Sequence, residues 1–409
     1  MRASDFRRID VADVYRGEAL AGELRRTDEG TQFTYDAHYV SSAPFGGEGV
    51  SWAMPPTELP YMGHGESLPR FFANLAPEGA RLAATVGRLH TSPDDLMTVL
   101  LAVGRDCVGD VRVVPAGSPL SVTNENRPMR LEDADFEALF WEAVGGENLD
   151  ATSLPGMQDK ASGGVVSFPS SIGFGNSPTI IKISPKLFPM LVENEAFFLG
   201  VAEKAGIGVN EWKLVRDGKG RLGLVLKRFD RVWTKQGTKL VHQEDLCQLL
   251  ERYPWQKYRV KVSEVASAIH EFASSPRRET LRLLEACMFS YLIGNADLHA
   301  KNVSLYRRDG SEIIELTPGY DLLSTLPYKH LDTRMALSLD GRDDKFKVRH
   351  FEDFGERWEV PREAVRARAS EIAGAVEDSM ARFGEIGLEP DALRRIESVV
   401  GQRIKGFGL

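Results

Sequence analysis

The chain has 409 residues, enough for two to three domains at roughly 150 residues each. Its apolar fraction of 42% and charged fraction of 27% are those of a globular protein, which excludes a wholly disordered or fibrous chain. Fifty-one Lys and Arg stand against 59 Asp and Glu, a net charge of −8, so binding to nucleic acid or an anionic membrane would need a local basic patch or a partner. The longest apolar stretches, such as Met97–Val103, fall short of a bilayer span, and MRASDFRRIDVADVYRG has no apolar leader core. Cys107, Cys247 and Cys287 are scattered and form no CxxC, which argues against a disulfide framework or a cysteine-rich zinc site. These features together point to a cytoplasmic, multidomain enzyme with no membrane segment.

The first 115 residues mix strand-like pieces with turns rich in Gly and Pro, among them Ala43–Gly49 and Pro55–Pro60. A helical stretch is predicted over Pro69–His90, then a helix over Leu96–Val103 capped by Asp94 or Asp95, then a closing strand at Val111–Val114. Pro115–Arg130 has little to bury and reads as a linker. Leu131, Phe136, Leu139, Phe140 and Val144 recur at helical spacing. Thr179–Ile183 is a β-branched strand, Asn194–Ala205 a helix, and Trp212–Val215 with Leu222–Leu226 a hairpin around a glycine turn. Beyond Asp230 the pattern is mostly helical, with His242–Asp245 opening a helix and one hairpin, Asn302–Tyr306 with Ile313–Leu316, turning at Asp309-Gly310.

The strongest chemical signal is Gly294-Asn295-Ala296-Asp297-Leu298-His299-Ala300-Lys301-Asn302, at the end of the apolar helix Leu281–Ile293. Asp and Asn five apart match the catalytic loop of protein kinases, where the Asp receives the substrate hydroxyl's proton and the Asn binds magnesium. Asp321, 24 positions after Asp297 and beyond the hairpin, stands where a second metal ligand belongs. The plainer reading is that Asp297 and Asn302 only shape a polar turn. Lys182 lies mid-strand among isoleucines, a poor place for an ammonium unless it meets phosphate or a carboxylate, and Glu195 lies 13 residues on. An edge-strand lysine pointing to solvent is the alternative. Ser153–Lys160 (SLPGMQDK) is a polar turn that is neither a Walker A sequence nor GxGxxG, and Lys227-Arg228-Phe229-Asp230 ends the last strand before the helical region. Gly46-Gly47-Glu48-Gly49 reads as a flexible loop, and Arg362, Arg366 and Arg368 as a solvated helix face.

Taken in order, these motifs resemble the HipA family, the serine/threonine kinase toxins of bacterial HipA–HipB toxin–antitoxin systems. Phe71–Gly79 and Gly104–Gly109 are similar to the family's N-terminal subdomain, Ser153–Lys160 to its phosphate-binding loop and Ile180–Lys182 to its nucleotide-lysine strand. Arg228–Asp230 resembles its hinge, Gln243–Gln248 a further family segment, and Asp297–Asn302 with Tyr320-Asp321 the catalytic set. The resemblance implies an α+β, two-lobed kinase-like fold divided into an N-terminal subdomain (1–125), an N-lobe (126–228) and a helical C-lobe (229–409). It implies ATP and Mg2+ as cofactors, with Asp297 as catalytic base and Asn302 and Asp321 as metal ligands. Lys182 would bind phosphate with Glu195 beside it, and Pro155, Gly156, Met157, Gln158, Asp159 and Lys160 would cover the phosphates. Lys227, Arg228, Phe229 and Asp230 would lie at adenine, with His299, Lys301 and Tyr320 lining the same site and Gln243 in a supporting segment.

Ser153 falls on the family's autophosphorylated serine, with Thr152 adjacent, and phosphorylation there would switch the kinase off by adding charge beside the triphosphate. Leu298, Met157 and Lys227 depart from the family pattern without removing a group the reaction needs. The implied substrate is a translation component such as an aminoacyl-tRNA synthetase, the glutamyl enzyme in particular. The implied partner is a HipB-like helix-turn-helix antitoxin, with DNA reached only through it. A non-catalytic co-repressor and a small-molecule kinase are the competing readings.

Overall fold

A computed structural model describes residues 3–42, 44–63, 67–120, 130–143, 166–308, 311–329 and 331–408. The chain forms two compact units, Met1–Ile181 with Asp217–Arg221 and Asp230–Pro254, and Lys182–Arg216 with Leu222–Phe229 and Trp255–Leu409. The fold class is α+β, with antiparallel hairpins in both units.

In the first unit, strands β1 (Val11–Arg16), β2 (Ala19–Thr27), β3 (Gly30–Tyr35), β4 (Tyr61–Met62) and β5 (Val111–Pro115) form one sheet in the order β4-β3-β2-β1-β5. Alternation in β1 and β3 puts Ala12, Val14, Phe33 and Tyr35 on the buried face, because strand side chains repeat every second residue. The register sets Ala12 beside Leu24 and Leu24 beside Phe33, a row that Phe72, Met97 and Leu100 from the flanking helices help to cover. The helical stretch predicted over Pro69–His90 consists of two helices, Arg70–Leu75 and Gly79–Leu89. Ala76 is extended at ψ 147° because the ring of Pro77 disfavours the helical region in the residue before it. The Leu96–Val103 helix forms as predicted, with Asp95 accepting from the Thr98 backbone N–H.

The run after Asp230 is less helical than its pattern suggests. β-branched and aromatic residues in Arg231–Thr234 pair with Gly237–Leu240 as a hairpin. His242–Asp245 does not open a helix: Gln243–Asp245 is a strand, and Asp245 caps the helix Leu246–Leu249 in a capping box with Gln248. The reason is a buried charge chain. Arg16, 1% exposed, meets Glu48 at 2.9 Å and Asp110 at 3.3 Å. His242 lies between Asp110 (2.5 Å) and Glu244 (2.9 Å), and Glu244 accepts from Ser51 Oγ and the Trp52 backbone N–H. A helix through residues 242–244 would point His242 and Glu244 in different directions, whereas in a strand two residues apart share a face.

Strands β6 (Val166–Ser170) and β7 (Thr179–Ile183) come next along the chain, and β8 (Trp212–Arg216) and β9 (Leu222–Lys227) pair antiparallel as the predicted hairpin. In the second unit the helix Leu191–Lys204 packs on β8 and β9. Helix Pro276–Ile293 is the core of that unit. Its Leu283, Leu284, Cys287, Met288, Phe289 and Leu292 are fully buried, and Val262–Phe272, Arg362–Ser379 and Pro390–Phe407 pack around it. The arginines of 362–368 are not a uniform solvated face. Arg362 and Arg366 pair with carboxylates of the preceding helix, and Arg368 turns inward to Glu285 (2.7 Å) and the Ala205 carbonyl (2.8 Å). Among the described residues no helix is long and apolar enough to cross a membrane.

Candidate active site

The site is built on the C-terminus of helix Pro276–Ile293. Gly294 ends it in the left-handed conformation at φ 74°, its N–H bonding back to Ser290 and Tyr291 carbonyls. A Cβ at Gly294 would collide with Leu326 Cδ1, so both the conformation and the space call for glycine. The turn beyond is pinned by side chains. Thr325 Oγ1 donates to the Gly294 carbonyl and accepts from the Ala296 N–H, and Asn295 Oδ1 accepts from the Asp297 N–H at 2.9 Å. Asp297 is thus presented on a rigid turn with its carboxylate toward solvent, where Tyr258 Oη donates to its Oδ1 at 2.7 Å.

Five residues on, Asn302 closes a short 3-10 turn, its Oδ1 accepting from the His299 N–H. The hairpin Ser304–Arg307 with Ile314–Leu316 then returns the chain, while its expected turn at Asp309-Gly310 lies outside the described residues. Asp321 follows in the left-handed region at φ 55°, a conformation that Asp and Asn tolerate better than most residues. Its Oδ2 accepts from Asn302 Nδ2 at 2.7 Å, and its backbone carbonyl from Asn295 Nδ2 at 3.0 Å.

Lys182 on β7 is 7% exposed and does not point to solvent. Its Nζ donates to Glu195 Oε1 at 2.7 Å and to Asp321 Oδ1. Burial works against the charge on Lys182, but Asp321 and Glu195 outweigh it and hold the ammonium above the usual lysine range. Burial likewise pushes the Asp321 carboxyl up, yet Lys182 beside it brings the net below the ordinary aspartate value. Burial raises the fully buried Glu195 carboxyl. The neighbouring Asn194, also fully buried, exchanges two hydrogen bonds with the Ser324 backbone, tying this helix to the segment that carries Asp321.

The structure therefore brings Lys182, Glu195, Asn302 and Asp321 into one hydrogen-bonded group, with Asp297 on the turn leading to Asn302. Asp321 Oδ1 and Oδ2 and Asn302 Oδ1 are hard oxygen donors of the kind magnesium takes, so the residue types fit that ion, although here Asn302 presents its Nδ2 to Asp321 and its Oδ1 to the His299 N–H. Lys227 ends β9 and pairs with Glu211, Arg228 is buried, and the Phe229 ring lies 5.9 Å from Tyr306 and 6.2 Å from Tyr320. Tyr320 donates to the Lys301 carbonyl at 2.8 Å and contacts Ser304 Oγ. Asp230 and Gln243 belong to the first unit, where Asp230 accepts from the Gly109 N–H and pairs with Arg231. Ser153, Thr152 and the loop Pro155–Lys160 lie outside the described residues. Tyr258, Asn194 and Thr325 carry contacts to the site that no motif announces. Asn295 sits inside the motif without a spacing that marks its role.

Residues 12–114 match the sequence model of the HipA N-terminal domain, and residues 152–380 that of the HipA-like C-terminal domain. The putative kinase Y4mE of Sinorhizobium fredii is 27% identical over 332 residues, spanning 77% of this chain and 78% of its own. The serine/threonine-protein kinase toxin HipA of Shewanella oneidensis is 24% identical over 392 residues, spanning 90% and 88%. Among solved structures, the Shewanella oneidensis MR-1 complex of HipA, HipB and operator DNA superposes with a TM-score of 0.71 at 21% identity, covering 97% of this chain and 96% of that one, a likeness of fold. With one family model spanning more than half of its length, the chain belongs to the HipA family.

Proposed function

We propose that this protein is a magnesium- and ATP-dependent serine/threonine protein kinase acting as the toxin of a toxin–antitoxin pair. The observation that carries the reading is Lys182 bonded to both Glu195 and Asp321, with Asn302 on the second oxygen of Asp321. A structural ion pair has no need of a second, part-exposed carboxylate that also binds an amide, whereas a phosphoryl-transfer site needs this combination.

Lys182, freed from Asp321 by substrate, meets phosphate oxygens while Glu195 keeps its direction. Asn302 and Asp321 would hold the magnesium ion, which when bound neutralises charge on the phosphates. Asp297 accepts the proton of the attacking hydroxyl as the new O–P bond forms and the bond to ADP breaks. The strand end Lys227–Asp230 with Phe229, His299, Lys301 and Tyr320 is the proposed adenosine side, and Pro155–Lys160 the cover over the phosphates. The ranges 1–125, 126–228 and 229–409 are the proposed subdomain, N-lobe and C-lobe. The proposed substrate is an aminoacyl-tRNA synthetase, and Ser153 the proposed autophosphorylation switch. A HipB-like antitoxin is the proposed partner, in keeping with the Shewanella complex, and the proposed compartment is the cytoplasm.

Intact-mass spectrometry before and after incubation with magnesium–ATP tests this, beside Asp297→Asn and Asp321→Asn. The parent is expected to gain phosphate at Ser153 and the variants none, while all three give the same far-UV circular dichroism. A variant that gains phosphate at the parent's rate removes the role assigned to that residue. The parent binding no ATP would favour the co-repressor reading instead.

A further inference from the structure

Tyr258 belongs to the 3-10 turn Pro254–Arg259, 39 residues before Asp297, so its contact with that carboxylate does not follow from local chain geometry. It is a large aromatic with 51% of its surface exposed, yet its ring is held on two sides. The His299 ring meets it edge-on at 5.1 Å and 78°, and Lys257 Nζ lies 5.3 Å from its centroid. One of these holders is inside the catalytic motif. The Asp297 backbone is fixed by Asn295, and that bond by itself does not choose among the staggered side-chain rotamers. A hydrogen bond from a ring contacted on two sides favours one of them.

We propose that Tyr258 is a positioning residue for Asp297: its phenol holds Oδ1, setting the rotamer in which Oδ2 meets the incoming acceptor hydroxyl. This rests on the kinase reading above, in which Asp297 is the proton acceptor. Misplacing a catalytic group by a fraction of an ångström lowers the rate without touching the nucleotide, and losing the phenol alone leaves the ring against His299, on the proposed adenosine side, in place. The phenol acts on the carboxylate and makes no contact with the transferred phosphate, so it sets kcat and leaves the KM for ATP alone.

The test is ADP formation and phosphate incorporation by the full chain at varied magnesium–ATP, for the parent, Tyr258→Phe and Tyr258→Ala. Phe keeps the ring against His299 and Lys257 and loses only the hydroxyl. The expected result is a fall in kcat of about tenfold for Tyr258→Phe, the size of one lost hydrogen bond to a charged group, with KM for ATP and melting temperature unchanged. Tyr258→Ala is expected to lose at least as much. Tyr258→Phe at the parent's rate with only Tyr258→Ala impaired would assign the ring to packing and overturn the proposal. A faster Tyr258→Phe would make the phenol an obstacle to the acceptor, which overturns it equally. A parent that turns over no ATP overturns the kinase reading and this inference with it, whereas an active parent with an unaffected Tyr258→Phe overturns the inference alone.

Discussion

Replacing Lys182 with Met tests the energetics of the site independently of its chemistry. Met retains most of the stem volume and removes the ammonium, leaving Glu195 fully buried and Asp321 36% exposed with no cation between them. Breaking a buried ion pair by deleting one partner costs roughly 3–5 kcal/mol. Asp321 is partly screened by water, so the lower end, about 3 kcal/mol, is expected. For a unit of about two hundred residues each kcal/mol moves the melting temperature by roughly 2–4 °C, a drop of roughly 6–12 °C. The ammonium's folded pKa is raised, so its stabilisation is complete below the ordinary lysine value near 10.5 and fades only as pH climbs through the folded one. At pH 7 the full loss is therefore visible. As pH falls, the burial-raised Glu195 of the variant takes up a proton, and the gap between variant and parent narrows. Urea unfolding followed by circular dichroism at pH 7 and pH 5 measures both effects. Glu195→Gln keeps an acceptor for Lys182 and removes the buried charge, so it is expected to cost clearly less. If Lys182→Met unfolded within about 1 kcal/mol of the parent at pH 7, the claim that this lysine neutralises a buried carboxylate would be wrong.

Other expectations concern the two units separately. Burial opposes protonation of His242, but Asp110 and Glu244 raise its pKa on balance, so its stabilisation is present below about 6.5 and lost as pH rises through the folded value. His242→Gln should therefore abolish a decline in urea midpoint that the parent shows between pH 6 and pH 9, and an unchanged slope would refute the assignment. Asp110, held at about 2 against its burial by His242 and Arg16, contributes stability above 3.8 that is lost as pH falls toward 2, and Asp110→Asn should flatten acid unfolding there. Gly294→Ala combines a left-handed φ with the collision at Leu326 and should cost roughly 2–4 kcal/mol in urea unfolding. An alanine variant as stable as the parent would show that the turn before Asp297 relaxes freely.

The sequence alone carries whatever rests on neighbours along the chain. A β-branched run marks the strand Thr179–Ile183, a capping carboxylate marks Leu96–Val103, and the apolar run with a terminal glycine marks the helix that ends at Gly294. The spacing of Asp297, Asn302 and Asp321 is likewise local: one turn and one hairpin separate them, and hairpin closure brings their backbones together. Where local rules competed with long-range charge, the sequence misled. His242 and Glu244 have the composition of a helix start, but His242 precedes the strand Gln243–Asp245 and both side chains join the buried charges of Arg16 and Asp110. Arg368 has the spacing of a solvated face, and only the packed helices reveal Glu285 and the Ala205 carbonyl beneath it.

The partners of the chemical groups belong wholly to the tertiary structure. Lys182 could have faced water or carboxylate, and an isolated strand does not choose, because the two orientations differ only in what other segments supply. Packing of Leu191–Lys204 supplies Glu195, and the clamp of Asn194 on Ser324 brings up Asp321. Tyr258 meets Asp297 across 39 residues that no periodicity links. A side chain's charge and reach are written in the sequence. Which opposite charge it meets is decided by burial, since desolvating an ammonium or a carboxylate is tolerable only where the fold has already placed its counterpart.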